Sequence, residues 1–363
     1  MQEKLSPVTL KDIAKVVGVT PSTVSAVLNN APKAARYTEE TKTRIRQTAR
    51  KLGYVSNPLA QALRGHATNL LGFVSYTVDS NYYGHILNAI EKTADKAGYQ
   101  IVVSNMQKER QRLDICIQMM LRLRVRGIIL GNIGNAIGDT LTTLVQTSPV
   151  PMVNLGSPEP GVSLPSVNLD NTAASKIILD YLLSLQHKNL LLLEGPQNLS
   201  YFRERSSSFS KHFHEKIRPG RGTLETITVP SPTDFATAYR TMSERIEKGV
   251  NFTAIVGAND IIAMGAMRSL LDHGVKVPET VSIAGIDDMP WSGADSEGAR
   301  LMGYIKPSLT SLRVPVANIA SMSAAKLIQL VENKENKDWR TSENELLPPE
   351  LIVRESTAPA RVA

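Results

Sequence analysis

The sequence predicts an all-α helix-turn-helix module joined to an α/β core of two Rossmann-like parallel-sheet subdomains. Three observations carry this. The whole net charge of +7 lies in residues 1–65, which hold eleven of the 41 Lys/Arg and four of the 34 Asp/Glu. The same segment shows three successive patterns of cap, apolar stripe and stop. From Leu70 onward, short β-rich apolar runs alternate with amphipathic helical stretches, the pattern of parallel sheets covered on both faces. At 363 residues the chain exceeds one ordinary core, and 42% hydrophobic with 21% charged residues suits a folded globular protein.

Thr9 caps a first helix whose apolar positions Leu10, Ile13, Val16 and Val17 share a face, with Asp12 near its positive end and Gly18 as its stop. Thr20 caps a second helix, Pro21 takes its first position, and Val24, Val27 and Leu28 form its stripe. Thr38 opens a third, EETKTRIRQTARKL, with Ile45, Ala49 and Leu52 as its stripe and Gly53 at its end. Short helices around a tight glycine turn make a helix-turn-helix, whose second helix enters the major groove N-terminus first. Its first turn is Pro21, Ser22 and Thr23, with Ser25 and Ala26 following on the exposed side. No charged residue lies between Thr20 and Asn30. Phosphate attraction then falls to neighbours such as Lys4, Lys33, Arg36, Lys42 and Arg64. Charge alone would equally suit a solvated basic terminus; the folded helices favour a polyanion contact.

In the remainder, LLGFVSY, QIVVS, GIILGN, PMVNL, NLLLLEG, TLETITV, TAIVGAND and VSIAGIDD read as strands. Helices are expected to about Gly98, through Met120, and over 172–185, 204–217 and 261–273. About ten strands are too many for one open α/β unit, and ligands of such units bind at the carboxyl ends of strands. The polar endings EGPQNLSYFRER, VGAND and AGIDD are therefore the places where a ligand site is expected.

Other motifs exclude more than they offer. Gly131, Gly134 and Gly138 have the wrong spacing for a dinucleotide fingerprint and suit a strand-to-helix loop. His212 and His214 fall on different helix faces, Cys116 reads as a small buried hydrophobe, and Ser206 to Ser208 lack a nucleophile elbow. No enzyme, cofactor or metal site is expected. No apolar run approaches the ~20 residues that span a bilayer, and no apolar segment marks a signal peptide. A cytoplasmic protein without a membrane partner is the expectation.

TLKDIAKVVGVTPSTVSAVLNN and TEETKTRIRQTARKLGYVSNPLAQALR resemble the DNA-binding headpiece of the LacI/GalR family of bacterial regulators, from about Thr9 to Arg64. The strand endings, with HKNLLLLEGP, AMGAMRSL, KPSLTSLR and LPPELIVREST, resemble that family's periplasmic-binding-protein-like core. The resemblance implies a headpiece over 1–56, a hinge helix over 57–66 and an effector-binding, dimerising core over 67–363. The core would comprise an N-subdomain (about 67–167 plus 312–335) and a C-subdomain (about 168–311 plus 336–363). DNA contacts are implied for Thr9, Thr20, Pro21, Ser22, Thr23, Ser25, Ala26, Asn29 and Tyr54. Further contacts are implied for Asn57, Ala60, Leu63 and Arg64 of the hinge, where Leu63 would wedge between base steps. Asn57 and Pro58 suit the start of that helix, yet its eight residues are too few to be stable alone.

The same resemblance implies an effector cleft formed by Arg203, Asn259, Asp287 and Trp291, faced by Tyr82. A guanidinium fork, a carboxylate for paired hydroxyls and an aromatic face suit a sugar or polyol. Asp260 and Asp288 read as caps of the segments after them. The implied protein is a homodimeric regulator of an operator, a repressor with a small-molecule effector. A sugar-responsive activator or corepressor-dependent regulator stands as the alternative, ahead of a solute-binding protein or kinase-regulator. Four departures qualify the likeness. Ala26 replaces an arginine that commonly reads guanine, Tyr76-Thr77 replaces an Asp-containing pair, Asn81 replaces a proline, and 289–306 is longer than usual, with Trp291 and Tyr304 inside it.

Overall fold

The computed structural model describes residues 8–29, 31–54, 68–79, 81–109, 111–131, 138–157, 161–291, 300–333, 339–341 and 343–361. The chain divides into two compact units, Met1–Thr68 and Asn69–Ala363.

In the first unit, α1 (Leu10–Val17), α2 (Pro21–Leu28) and α3 (Glu39–Lys51) surround one small core of Ile13, Ala14, Val17, Val24, Val27, Ala34, Ile45 and Ala49. Asp12 closes the start of α1 by accepting from the Thr9 N–H at 2.8 Å and the Thr9 hydroxyl at 2.7 Å. Reciprocal caps of this kind contribute on the order of 1 kcal/mol. Gly18 leaves α1 with φ +74°, where a Cβ would be strained. Val16 is 63% exposed, so the buried stripe of α1 runs through Ala14 and not Val16 as expected. Between α2 and α3 lies a short 3-10 helix, Pro32–Arg36, pinned by buried Ala34. Lys33 and Arg36 are exposed and three residues apart, hence on one face of it.

The second unit contains two six-stranded sheets. The first takes β1 (Leu70–Ser75), β2 (Gln100–Asn105), β3 (Ile128–Gly131), β4 (Met152–Leu155), β5 (Ser166–Leu169) and β11 (Asn344–Leu347) in the order β11-β5-β4-β3-β1-β2, all parallel. The second takes β6 (Asn189–Glu194), β7 (Thr223–Thr228), β8 (Ala254–Gly257), β9 (Ser282–Asp287), β10 (Thr310–Arg313) and β12 (Glu350–Ile352) in the order β12-β10-β9-β8-β6-β7. Only β12, of these, runs antiparallel to its neighbour. Central strands such as IILG and AIVG are buried throughout, which is why they appear in the sequence as unbroken apolar runs.

Helices that matter below are α4 (Asn81–Lys96), α5 (Arg112–Arg122), α7 (Asn171–Ser184), α8 (Ser200–Lys216), α9 (Phe235–Ile246), α10 (Asp260–Asp272) and α11 (Val316–Glu332), with α6 at Gly138–Thr147. The chain crosses between sheets after β5, between β10 and α11, and between β11 and β12. The second crossing corrects the expected subdomain limits. Helix α11 packs on β3, β4 and β5, so the chain emerges beside β5 and residues 344–347 form the edge of the first sheet. They do not belong with the second sheet, to which 336–363 had been assigned, whereas Leu312 and Arg313 do, on β10.

The end of β10 and the segment after β12 meet at Asp288, which is wholly buried immediately after β9. Arg313 reaches one carboxylate oxygen through Nη2 at 2.7 Å and Nε at 2.9 Å, and Arg354 Nη2 reaches the other at 2.8 Å. Arg300 donates to the Asp288 carbonyl and lies 3.8 Å from its carboxylate. Asp288 is thus a counter-ion for three chain segments and not the cap expected of it. Asp288→Ala should destabilise the full chain by about 3–5 kcal/mol in urea unfolding, because it strands buried guanidinium charge. A loss below about 1 kcal/mol, the range of a surface pair, would contradict this role.

Candidate nucleic-acid interface and ligand cleft

The start of α2 is fixed from within. Thr20 Oγ1 accepts the Thr23 N–H at 3.2 Å and lies 2.9 Å from the hydroxyls of Ser22 and Thr23. Thr23 is buried and its hydroxyl donates to Tyr37 Oη at 3.3 Å. Thr23, expected to contact DNA, is turned inward by helix phase with Val24 and Val27. Ser22, Ser25, Ala26 and Asn29 stand at i, i+3, i+4 and i+7, sharing one solvent-facing side with Thr20 and Pro21. Asn29 Nδ2 donates to Ser25 Oγ at 3.2 Å. This face is polar, small and uncharged. Thr9 is exposed at the start of α1, and Tyr54 is half-buried against the headpiece core. Asn57, Ala60, Leu63 and Arg64 lie outside the described residues.

In the core, aromatic side chains from both subdomains meet at the strand ends. Tyr82 and Tyr83 of α4 pack edge to face with centroids 5.4 Å apart, while Tyr201 and Phe202 of α8 sit 4.4 Å apart. Tyr76, just past β1, packs against the apolar cluster of the second subdomain. Burial pushes the phenols of Tyr83 and Tyr201 well above the ordinary range, and the nearby Tyr76 and Tyr82 push the same way. Arg205 lies over this wall, 5.6 Å from the Tyr201 centroid. Its Nε donates to Asn171 Oδ1 at 2.9 Å and its Nη1 to Ala258 O at 2.8 Å.

Arg205, and not Arg203, is the arginine beside Asp287 and Tyr201. Two residues along a helix is a rotation of about 200°, and Arg203 is turned to its own loop, with Nη1 on Gln197 O at 3.1 Å. Asn259 is also corrected. It is buried, its Oδ1 accepts the Ile262 N–H at 2.9 Å and its Nδ2 donates to Pro232 O at 2.9 Å, so it caps α10.

Asp260, expected as that cap, sits one residue inside the helix. It accepts the Asp288 N–H at 2.7 Å and the Ser311 hydroxyl at 2.5 Å. Asp287 ends β9 with φ +134° and lies near Arg205 and Tyr201. Burial raises its carboxyl to about 6, against the opposing pull of Arg205. Asp260 is raised further, by burial first and by the Asp287 charge second. Tyr82 is half-buried in the aromatic wall. Trp291 is not in the cleft: its side chain is 68% exposed. What its loop contributes is backbone, since Trp291 O accepts from Asn81 Nδ2 and Pro290 O contacts His85 Nε2, both at 3.0 Å. Both bonds join the second subdomain to α4 of the first. Sequence reasoning did not single out Tyr201, Arg205, Glu204, Asn171 and Ser157; the pair YF before RER was the available signal.

Among the described residues, no group of three His, Cys, Asp or Glu is placed to hold a metal, and no helix is long and apolar enough to cross a membrane. Comparison with known proteins yields two matches along the chain. Residues 9–57 match the bacterial regulatory proteins of the lacI family, and residues 68–349 match the periplasmic binding proteins and sugar binding domain of the LacI family. The transcriptional regulator GalR of Salmonella typhimurium strain LT2 is 29% identical over 317 residues, 87% of either chain. The transcriptional repressor PurR of Haemophilus influenzae strain PittEE is 25% identical over 351 residues, 96% of this chain and 98% of its own. A lac repressor dimer bound to operator and the anti-inducer ONPF shares the fold, with TM-score 0.82 and 24% identity over 97% of this chain and 100% of that one.

Raising Asp287 from its ordinary 3.8 to about 6 makes its ionisation a cost of folding. That cost is absent below about pH 4 and complete above about pH 6. Asp287→Asn should therefore gain urea stability relative to the parent chain between about pH 4 and about pH 7. A difference that is the same at both pH values would contradict the buried, charged carboxylate.

Proposed function

The chain belongs to the LacI family of bacterial regulatory proteins, DNA-binding transcriptional regulators, and on that premise we propose that it is a dimeric repressor controlled by a polyol or sugar bound in the core cleft. The observation that carries the cleft reading is Arg205 beside Asp287 under a wall of tyrosines. A guanidinium donates in a fixed plane, a carboxylate accepts from adjacent hydroxyls, and tyrosine faces cover the apolar side of a ring. The Lac repressor structure named above is a dimer on its operator. Dimerisation here is supported by exposed apolar side chains on both subdomains: Val103, Ile115 and Met119 on one, Phe235 and Leu271 on the other.

The proposed mechanism is a shift between two subdomain angles. A ligand moves such an equilibrium only through different affinity for the two states. The Asn81–Trp291 and His85–Pro290 bonds, which cross the cleft, are contacts that an angle change would make or break. A ligand that favours the state with weak DNA affinity is an inducer, and the opposite preference makes a corepressor. The relatives compared above are regulators, which supports a protein that binds its ligand without turning it over.

On DNA, the uncharged face of α2 would read bases through hydroxyls, one amide and the Ala26 methyl, with Lys33 and Arg36 among the phosphate contacts. Selection of bound duplexes from a random pool by the full chain should enrich a near-palindrome, and absence of any enrichment would overturn the reading. At the base pair facing residue 26, Ala26→Arg should shift preference toward guanine by about 1–3 kcal/mol in competition binding. An unchanged preference would remove residue 26 from the reading face. In a thermal-shift screen of sugars and polyols, Arg205→Ala should abolish the response and Arg203→Ala should keep it. The reverse result would return the cleft to Arg203.

A further inference from the structure

Beneath the cleft, a chain of hydrogen bonds runs from the first sheet to the guanidinium of Arg205. Ser157 follows β4, where Asn154 Nδ2 donates to the carbonyls of Gly156 at 2.8 Å and Ser157 at 3.0 Å. Asn168 Nδ2, on β5, donates to Ser157 Oγ at 2.9 Å. The single proton of the Ser157 hydroxyl goes to Glu204 Oε2, 2.7 Å away. That same oxygen accepts Asn171 Nδ2 at 2.9 Å, and Asn171 Oδ1 accepts Arg205 Nε at 2.9 Å.

The direction of this relay follows from what each group can do. An ionised carboxylate only accepts, whereas an amide can present either its oxygen or its nitrogen. Glu204 therefore forces the nitrogen of Asn171 toward itself, which leaves the amide oxygen facing Arg205. Ser157 belongs to the first subdomain and Glu204 to α8 of the second, so the relay spans the first crossing between sheets. Resting on the cleft reading above, we propose that Glu204 is a positioning residue: it ties the place of Arg205 in the ligand site to the angle between the two subdomains. A regulator needs such a tie if ligand binding and subdomain angle are to depend on each other.

The packing of the helices does not depend on this relay. The Ser175 hydroxyl lies 2.9 Å from Asn171 O and 3.0 Å from Arg205 O, so this side chain joins α7 to the backbone of α8 without Glu204. Glu204 can thus be changed with the helices held in place.

The titration of Asp287 reports the position of Arg205 without ligand or DNA. The groups facing Asp287 are Arg205 and Tyr201 from α8 and Asp260 from α10, with Asp288 adjoining it and held by its arginines. Arg205 is the group that pulls the Asp287 carboxyl down. The test is a carboxyl-carbon NMR titration of the full chain, with the Asp287 signal identified by its loss in Asp287→Asn. In Glu204→Ala the Asp287 midpoint should rise by about one pH unit as the guanidinium loses its anchor. Removing the Glu204 charge by itself would move the midpoint down, so the sign separates positioning from simple electrostatics. Glu204→Gln keeps an acceptor oxygen and should stay within a few tenths of a pH unit of the parent, or fall slightly.

Asn171→Ala removes the relay from its other end and should reproduce the rise, which serves if Glu204→Ala does not fold. An unchanged or lowered midpoint in whichever of these two variants folds overturns the proposal, as does a rise in Glu204→Gln equal to that in Glu204→Ala. These outcomes leave the regulator reading untouched, because that reading stands or falls on selective DNA binding.

Discussion

The core depends on how two neighbouring carboxylates at the end of β9 are handled. The strand ends at Asp287 and the backbone turns there, with φ +134° at Asp287 and +41° at Asp288, so the two side chains enter different environments. Asp287 is delivered to the cleft, and Asp288 is driven into the interior, where an unpaired charge would be prohibitive. The solution is Arg300, Arg313 and Arg354, drawn from three distant parts of the chain to one point. The turn itself is held by Asp260, whose carboxylate takes the Asp288 N–H. Gly285 is required beneath it, since a Cβ there would fall 2.3 Å from Asp260 Oδ1. The turn after β9, the end of β10 and the segment after β12 thus share one buried carboxylate.

Against that arrangement, what could be read in the sequence follows a physical line. Caps and stops were legible because they are local: Thr9 with Asp12, Thr20 with Pro21, and Gly18 act within one turn. Buried strands such as NLLLLE were legible because nothing polar interrupts them. The helix-turn-helix module and the two parallel sheets of the core appear as expected from those signals. Other features depend on phase or on distant partners. Whether Arg203 or Arg205 enters the cleft is decided by where α8 begins, and a shift of two residues reverses the answer. Asn259 and Asp260 look interchangeable as caps, and only the packed position of the Asp288 N–H separates them. The strand at 344–347 joins the first sheet because α11 carries the chain back to β5, a partner more than 170 residues away that no local pattern names.

The headpiece and the core divide their work in a way that suits a regulator. On the headpiece, the groups proposed to read bases are short hydroxyls, one amide and one methyl, and charge is confined to the surroundings. Such a face gives shape and hydrogen-bond selectivity with little electrostatic strength of its own, so affinity rests on neighbouring phosphate contacts. In the core, polar bonds link the subdomains through Asn81 and His85 and through Ser157 and Glu204, beside an apolar cluster that both sheets share. Hydrogen bonds of this sort are individually worth about 0.5–1.5 kcal/mol, so a bound ligand can re-set several of them. That is the range in which binding at one site changes affinity at another by useful factors.

The central claim is that the ligand site at Arg205 and Asp287 and the DNA-reading face are coupled in one regulator. The most direct test is the operator affinity of the full chain, followed by fluorescence anisotropy while a cleft ligand is titrated in. The account expects the ligand to change operator affinity by about 5-fold or more, with operator binding retained and that response lost in Arg205→Ala. An operator affinity that responds to the ligand equally in Arg205→Ala and the parent chain would contradict it.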